Sequence, residues 1–372
     1  MKNVETIHVK YHDRTVGTMV LTRNHQIAFS YDDTWTSDGF SISPFSLPLQ
    51  EGVFVSSKPH FQGLFGVFAD SLPDAWGQLL VDRLLKKQGV DIGAITALDR
   101  LAIVGSSGMG ALTYEPEITL GNMETVPALD ALATECSKLL QAQECKDLEL
   151  LHRLGGSSGG ARPKVTIESE GKLWLVKFPA SVDAPEVGLM EYEYCRCAAA
   201  CGITVPEVKL FDSENGPGYF GIQRFDHIHG ERKHMLTAAA MLEADYRVPC
   251  LDYTDLFKLT KIVTRNSKEQ LKEMYRRMCF NVFAHNRDDH AKNFTWLYNE
   301  QADTFSLSPA YDLTWSTTFF GEHTTSIGGN GKAPCETDLI RVGTQAGLSK
   351  NFCKESAELI KNTVEKELHN WL

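Results

Sequence analysis

The densest run of polar and ionisable side chains is His285-Asn286-Arg287-Asp288-Asp289-His290-Ala291-Lys292-Asn293. It stands between a long amphipathic helical pattern and an apolar strand pattern, Phe294-Thr295-Trp296-Leu297. Asp288 and Asn293 have the types and spacing that phosphoryl transfer uses. A carboxylate accepts or orients a hydroxyl proton, and an amide oxygen further along holds a cation that bridges phosphates. The same spacing occurs in the kinase catalytic-loop pattern. Taken alone, the segment also reads as a polar helix-to-strand turn capped by Asp and Asn.

Asp312 lies in Ser308-Pro309-Ala310-Tyr311-Asp312-Leu313, after a second strand pattern. A hairpin across Asn299–Asp303 would return Asp312 to the side of Asn293. A carboxylate beside an amide oxygen is a hard-cation site suited to Mg²⁺, whereas an isolated Asp there would cap a turn. Upstream, Lys177 ends the apolar run Leu173-Trp174-Leu175-Val176. Its ammonium could neutralise the α- and β-phosphates of a nucleotide, or it could snorkel from a strand end. Glu191, at the expected start of the next helix, is its first candidate partner and Glu193 its second.

The segment Gly155–Lys164 is glycine-rich, which allows close backbone approach and lets successive N–H groups cradle an anion. It is not a Walker A sequence, because Arg162-Pro163 precede Lys164 and Val165 follows it. Ser157 and Ser158 are expected to be exposed hydroxyls open to phosphorylation. Each feature alone has a plain reading. Their order is glycine loop, strand lysine, helix glutamate, connector Gln223–Phe225, Asp288, Asn293, Asp312. That is the order of parts in a protein-kinase-like fold using ATP and Mg²⁺.

The elements that must position these residues follow from periodicity. Strand alternation fills the first thirty residues, at Ile7–Tyr11, Val16–Thr22 and Gln26–Ser30. A helix is expected from about Asp74 to Gln88, where Trp76, Leu80 and Leu84 make one face. Residues 128–153 read as helical with a break near Cys145. A hairpin turning at Glu170-Gly171 follows the glycine loop, then a helix over Glu191–Cys201 and strands near 208–211 and 219–224. Beyond Phe225 helices dominate, near 251–264, 267–284 and 352–370. The fold class is therefore α+β: a two-lobed protein-kinase-like fold with an extra amino-terminal β-rich subdomain and a mainly helical carboxy-terminal lobe. Its divisions are 1–120, 121–225 and 226–372.

Composition is that of a globular chain, with 42% hydrophobic and 23% charged residues among 372. A net charge of −11 argues against coating nucleic acid directly, while leaving room for a basic partner that binds DNA. Lys86-Lys87 and Arg276-Arg277 read as solvated helix faces. Nine cysteines include no CxxC pair, and Cys195, Cys197 and Cys201 read as buried helical thiols. A reducing, cytoplasmic compartment is expected. No apolar stretch reaches membrane-spanning length, and MKNVETIHVKYHDR lacks a signal-peptide pattern.

The chain resembles the HipA family of bacterial serine/threonine kinases, the toxins of toxin–antitoxin pairs, over nearly its whole length. Asp288-Asp289-His290-Ala291-Lys292-Asn293 is similar to the family's D-x-H-A-K-N segment and Tyr311-Asp312 to its metal-binding Y-D pair. Val176-Lys177-Phe178-Pro179 is similar to its nucleotide-lysine strand. Ile222-Gln223-Arg224-Phe225-Asp226 is similar to its E-R-F-D hinge, with Gln223 in place of Glu. Phe45-Ser46-Leu47-Pro48-Leu49 and Phe65–Trp76, containing Asp70-Ser71-Leu72-Pro73-Asp74, are similar to its amino-terminal subdomain.

The resemblance implies nucleotide contacts from Ser158, Gly159, Gly160, Ala161, Arg162, Pro163, Lys164, Lys177, Gln223, Arg224, Phe225, His290, Lys292, Asn293, Tyr311 and Asp312. It places autophosphorylation at Ser157. It also implies a helix-turn-helix antitoxin resembling HipB, touching residues 1–120, with DNA reached only through that antitoxin. The implied substrate is a protein, an aminoacyl-tRNA synthetase in the best-known members. The run Gly159-Gly160-Ala161-Arg162-Pro163-Lys164 departs from the A-G-A-Q-E-K-like run of those members. Two other readings keep the same residues: a small-molecule kinase, and a non-catalytic nucleotide-binding co-repressor subunit.

Overall fold

The computed structural model describes residues 3–56, 58–120, 126–157, 159–228 and 230–372. The chain divides into two compact units, Met1–Gly188 with Leu210–Met235, and Leu189–Lys209 with Leu236–Leu372.

In the first unit the early alternation becomes β1 (Thr6–Tyr11), β2 (Arg14–Leu21) and β3 (Ile27–Tyr31). The short α1 (Asp33–Asp38), β4 (Phe54–Val55) and one-turn α2 (Gly66–Ala69) follow. α3 (Ala75–Lys87) buries Trp76, Leu80 and Leu84 and carries Lys86 and Lys87 in its last turn, where cations suit the carbonyl end. α4 (Ala97–Val104) starts at a capping box between Thr96 and Asp99. All eight of its residues are buried, Asp99 and Arg100 among them, and the sequence reading did not anticipate this helix. β5 (Leu112–Glu115) pairs with β1 and completes an antiparallel sheet of order β4-β3-β2-β1-β5.

The expected helical stretch is two helices, α5 (Leu129–Leu140) and α6 (Leu148–Gly155), broken around Cys145 as the apolar spacing implied. β6 (Lys164–Ser169) and β7 (Lys172–Lys177) form the hairpin, with positive φ at both Glu170 and Gly171. With β8 (Val208–Phe211) and β9 (Tyr219–Gln223) they make a sheet of order β6-β7-β9-β8. A ribbon of β10 (His227–Ile228) and β11 (Glu231–Arg232) follows. Trp76, Leu80, Leu84, Leu139, Leu151 and Trp174 belong to one buried cluster, so α3, α5, α6 and β7 share a core.

α7 (Val187–Ala200) runs from the boundary into the second unit and begins earlier than its sequence suggested. Glu191 therefore lies inside the helix, not at its start. Cys195, Cys197 and Cys201 are buried thiols outside any disulfide, as expected. The unit continues with β12 (Met235–Thr237), α8 (Ala238–Leu242), β13 (Leu251–Asp252), α9 (Tyr253–Val263) and α10 (Lys268–Phe283). Then come β14 (Thr295–Asn299), β15 (Thr304–Leu307), β16 (Thr325–Ser326), α11 (Glu336–Gln345) and α12 (Lys350–Glu367). α10 packs against α9, α11 and α12.

Arg277 on α10 corrects the expectation of a solvated pair. It is 4% exposed, held by Glu273 one turn earlier at 2.9 Å and by the Ser308 carbonyl. Among the described residues no helix is long and apolar enough to cross a membrane.

Candidate active site

The second unit builds the segment that carries Asp288. After α10, His285 takes φ +53 and turns the chain, and Asn286 bridges Ser316 in parallel. Asp289 turns inward at 1% exposure, while its neighbour Asp288 is exposed.

The Asp289 carboxylate accepts hydrogen bonds from Tyr253 Oη (3.1 Å), His323 Nδ1 (3.0 Å) and the Thr325 N–H (3.1 Å). Its own carbonyl accepts from the Thr325 hydroxyl. Burial, and then the Asp289 charge, push the Tyr253 phenol well above its ordinary range, so it remains a donor. Asn281 Nδ2 donates to Tyr253 Oη at 2.9 Å, and Asn286 Nδ2 donates to Asn281 Oδ1 at 2.9 Å. A buried carboxylate that takes three donors from two other segments, Tyr253 on α9 and the stretch 323–325, is an anchor. Asp288 is the next residue out from it.

Asn293 Nδ2 donates to the Asp288 carbonyl at 2.7 Å. A carbonyl only accepts, so the amide oxygen of Asn293 is left for another partner. The expected hairpin is present, with Trp296 opposite Leu307 and Asn299 opposite Thr304. Past it, the Ser308 N–H donates to the Thr295 carbonyl at 2.9 Å. Tyr311 Oη meets Thr295 Oγ1 at 2.6 Å and donates to the Lys292 carbonyl, which ties the strand leading to Asp312 onto the end of the loop.

Asn293, Tyr311 and Leu313 line one pocket together with Asn281, Asn286 and Asp289. Asp312 itself is half-buried and has φ +56, a conformation Asp tolerates better than most residues. By donor type, the amide oxygen of Asn293 and the carboxylate of Asp312 would suit Mg²⁺, which takes few protein ligands and completes its shell with phosphate and water oxygens. Nearby, the His290 ring lies 5.5 Å from that of Tyr246, and the Lys292 ammonium lies 4.6 Å from the same ring. Glu191, also in this unit, is 3% exposed.

In the first unit, Lys177 at the end of β7 is directly opposite Lys164 at the start of β6. Two ammonium-bearing side chains therefore share one face of the hairpin. Lys177 Nζ lies 5.7 Å from the Phe220 ring, and the buried Lys164 curls back to the Gly159 carbonyl. Ser157 Oγ donates to the Ser107 carbonyl at 2.8 Å. Arg162 forms a two-pronged pair with Asp183 at 2.9 and 3.0 Å, so its guanidinium is already engaged by a carboxylate. The Pro163 carbonyl accepts from the Phe178 N–H, Gly160 has φ +82, and Ala161 is exposed. Ser158 lies outside the described residues.

At the connector, Gln223 ends β9 and the Arg224 guanidinium binds Asp226 at 2.6 and 3.0 Å. Burial alone would raise the Asp226 pKa. The Arg224 charge and hydrogen bonds, with the Gly110 N–H, outweigh burial and hold it below the usual carboxylate range. The Arg224 N–H donates to the Leu173 carbonyl at 2.9 Å, and the Arg224 side chain braces the turn through Asp226.

Sequence reasoning passed over Tyr253, His323 and the anchoring role of Asp289. It also gave Asp74 and Trp76 only to the amino-terminal subdomain. Asp74 Oδ2 accepts from the Gly160 N–H at 2.9 Å, and Trp76 Nε1 donates to the Lys164 carbonyl at 3.0 Å.

These elements define a two-lobed, kinase-like α+β fold. Two family models match the chain: the HipA N-terminal domain over residues 7–115 and the HipA-like C-terminal domain over residues 156–370. The chain belongs to the HipA family. Its relatives include Y4mE of Sinorhizobium fredii, whose name makes it a candidate kinase. Y4mE is 26% identical over 345 residues, covering 83% of this chain and 77% of its own length. Y4dM of the same organism, likewise named, is 26% identical over 227 residues, 56% of this chain and 53% of that one. A chain of the Shewanella oneidensis MR-1 toxin–antitoxin complex of HipA, HipB and operator DNA superposes with a TM-score of 0.72 at 18% identity. The match covers 98% of this chain and 90% of that chain, a likeness of fold.

Proposed function

We propose that this chain is an ATP- and Mg²⁺-dependent serine/threonine protein kinase of the HipA type, the toxin of a toxin–antitoxin pair. The observation that carries the reading is Asp288. It is exposed on backbone anchored by the buried Asp289, with Asn293 bonded to its carbonyl and Tyr311, the residue before Asp312, bonded to the Lys292 carbonyl.

In this reading Asp288 accepts or orients the proton of a substrate hydroxyl as the γ-phosphoryl group is transferred to that oxygen. Asn293 and Asp312 would hold Mg²⁺, which when bound bridges phosphate oxygens and offsets their charge. Lys177 and Lys164 supply cations for the phosphates, Gly159, Gly160 and Ala161 supply backbone N–H groups, and Gln223–Phe225 offer backbone to adenine. Tyr311, His290 and Lys292 shape the loop side of the site. Segments 1–120, 121–225 and 226–372 serve antitoxin contact, nucleotide binding and catalysis.

Family membership and the likeness to a chain solved with HipB and operator DNA support a helix-turn-helix antitoxin as partner. The net charge of −11 suits a basic one. The compartment in this reading is the cytoplasm. The test is incubation of the purified chain and a cell extract with γ-labelled ATP. Mg²⁺-dependent label on protein serine or threonine, lost in Asp288→Asn and in Asp312→Asn, is expected. Label persisting in both variants would sink these roles.

A further inference from the structure

We propose that the start of α3 is a brace for the glycine loop, with Asp74 and Trp76 as positioning residues for nucleotide binding. The inference rests on the reading of residues 155–164 as a phosphate loop.

Asp74 occupies the N-cap of α3, where an Asp side chain ordinarily accepts an N–H from its own first turn. It makes no such bond. Its carboxylate accepts instead from the Gly160 N–H, 86 residues away in sequence. The first-turn N–H of Trp76, which the absent cap would leave open, donates to the Gly160 carbonyl at 3.2 Å. Gly160 therefore caps the helix while the helix caps Gly160, a capping exchange between two distant segments.

The far end of the loop is tied as well. The indole N–H of Trp76 donates to the Lys164 carbonyl, and the Trp76 ring is 1% exposed within the core. Close approach requires glycine on both sides. A Cβ at Gly77 would lie 2.7 Å from the Gly156 carbonyl oxygen, and one at Gly155 would lie 2.4 Å from that of Lys164.

A glycine-rich loop left to itself samples many conformations, and ordering it upon binding would subtract from affinity. Contacts at Gly156, Gly160 and Lys164 fix those three positions beforehand. Asp74 and Trp76 lie in the segment matched by the amino-terminal family model, and residues 156–164 of the loop lie in the carboxy-terminal one. The amino-terminal segment is thus a working part of the nucleotide site, besides any contact it makes with a partner.

The test uses the full chain, titrated with a fluorescent non-hydrolysable ATP analogue and Mg²⁺, with steady-state kinetics and amide hydrogen exchange alongside. Asp74→Ala should weaken nucleotide binding and raise the KM for ATP by roughly five- to tenfold, as expected for loss of a partly exposed hydrogen bond to a charged group. Its kcat should stay within about twofold, since no group touching the transferred phosphoryl is altered. Asp74→Asn keeps an acceptor oxygen and should restore binding. Trp76→Phe keeps the ring and should lose roughly threefold, one neutral hydrogen bond.

The Gly160 amide should exchange faster in Asp74→Ala but not in Asp74→Asn, a readout that needs no nucleotide. Wild-type binding by Asp74→Ala would overturn the brace, as would an Asn variant as weak as the Ala variant. Wild-type chain that binds no nucleotide, with Gly160 protected as described, would overturn the phosphate-loop reading on which the functional part rests.

Discussion

Asp289→Asn preserves the shape of the anchor and removes its charge. Three donors end on this carboxylate: Tyr253 Oη, His323 Nδ1 and the Thr325 N–H. Hydrogen bonds to a charged group contribute about 1.5–3 kcal/mol each. An Asn side chain keeps one acceptor and gains an NH₂ that must face some of these donors. Turned toward Thr325, it sets two N–H groups against each other in the interior. Turned toward Tyr253 and His323, it forces the imidazole into its other tautomer and makes the phenol accept from Asn281 as well.

Either way at least one charge-assisted bond is lost, so the second unit should be destabilised by about 2–3 kcal/mol. That corresponds to a fall in unfolding temperature of roughly 4–12 °C. Because Asp288 is the adjacent residue, its displacement should lower kcat by roughly 10²-fold. The KM for ATP should move by less than about threefold, since Asp289 faces the interior. Thermal unfolding and steady-state phosphoryl transfer read both effects. A variant that melts with the wild type and transfers phosphate at the wild-type rate would refute the anchoring role.

Two further perturbations follow from buried groups outside the reacting atoms. Arg277→Ala leaves Glu273, 8% exposed, without the guanidinium that holds it, and should cost about 3–5 kcal/mol in urea unfolding. An unchanged midpoint would mean that Arg276, 3.8 Å from Glu273, carries the pair instead. Burial pushes the His152 pKa down from 6.5 to about 4. The unfolded chain then takes up this proton first on acidification, so stability is present above pH 6.5 and is lost as pH falls toward 4. His152→Gln should show a smaller drop in unfolding midpoint over that window, and an identical drop would contradict the assignment.

The residues nearest the proposed chemistry were readable because their relations are local. Asp288 and Asn293 share one turn, and the hairpin that returns Asp312 was marked by two apolar runs either side of Asn299–Asp303. The strand ending at Lys177 was likewise written in a continuous apolar run. What escaped depends on distance along the chain. Asp289 filled a variable position of a motif, and its partners Tyr253, His323 and Thr325 come from elements that no short-range period connects to it. Asp74 was read only as the approximate start of a helix, and only the fold shows its carboxylate accepting from the Gly160 N–H. Arg277 was misread as solvated although Glu273, one helical turn before it, was a signal for pairing. α4 is short and buried all round, Asp99 and Arg100 included, so its two charged residues mark no solvent face.

The most direct test compares nucleotide binding with phosphoryl transfer in Asp288→Asn. If Asp288 handles the hydroxyl proton and does not hold the nucleotide, the variant should bind ATP·Mg²⁺ within about threefold of wild type. Its transfer to protein should fall by roughly 10²–10⁴-fold, the range of general acid–base contributions. Transfer at the wild-type rate by a folded, nucleotide-binding Asp288→Asn chain would contradict the assignment of Asp288 as the catalytic base.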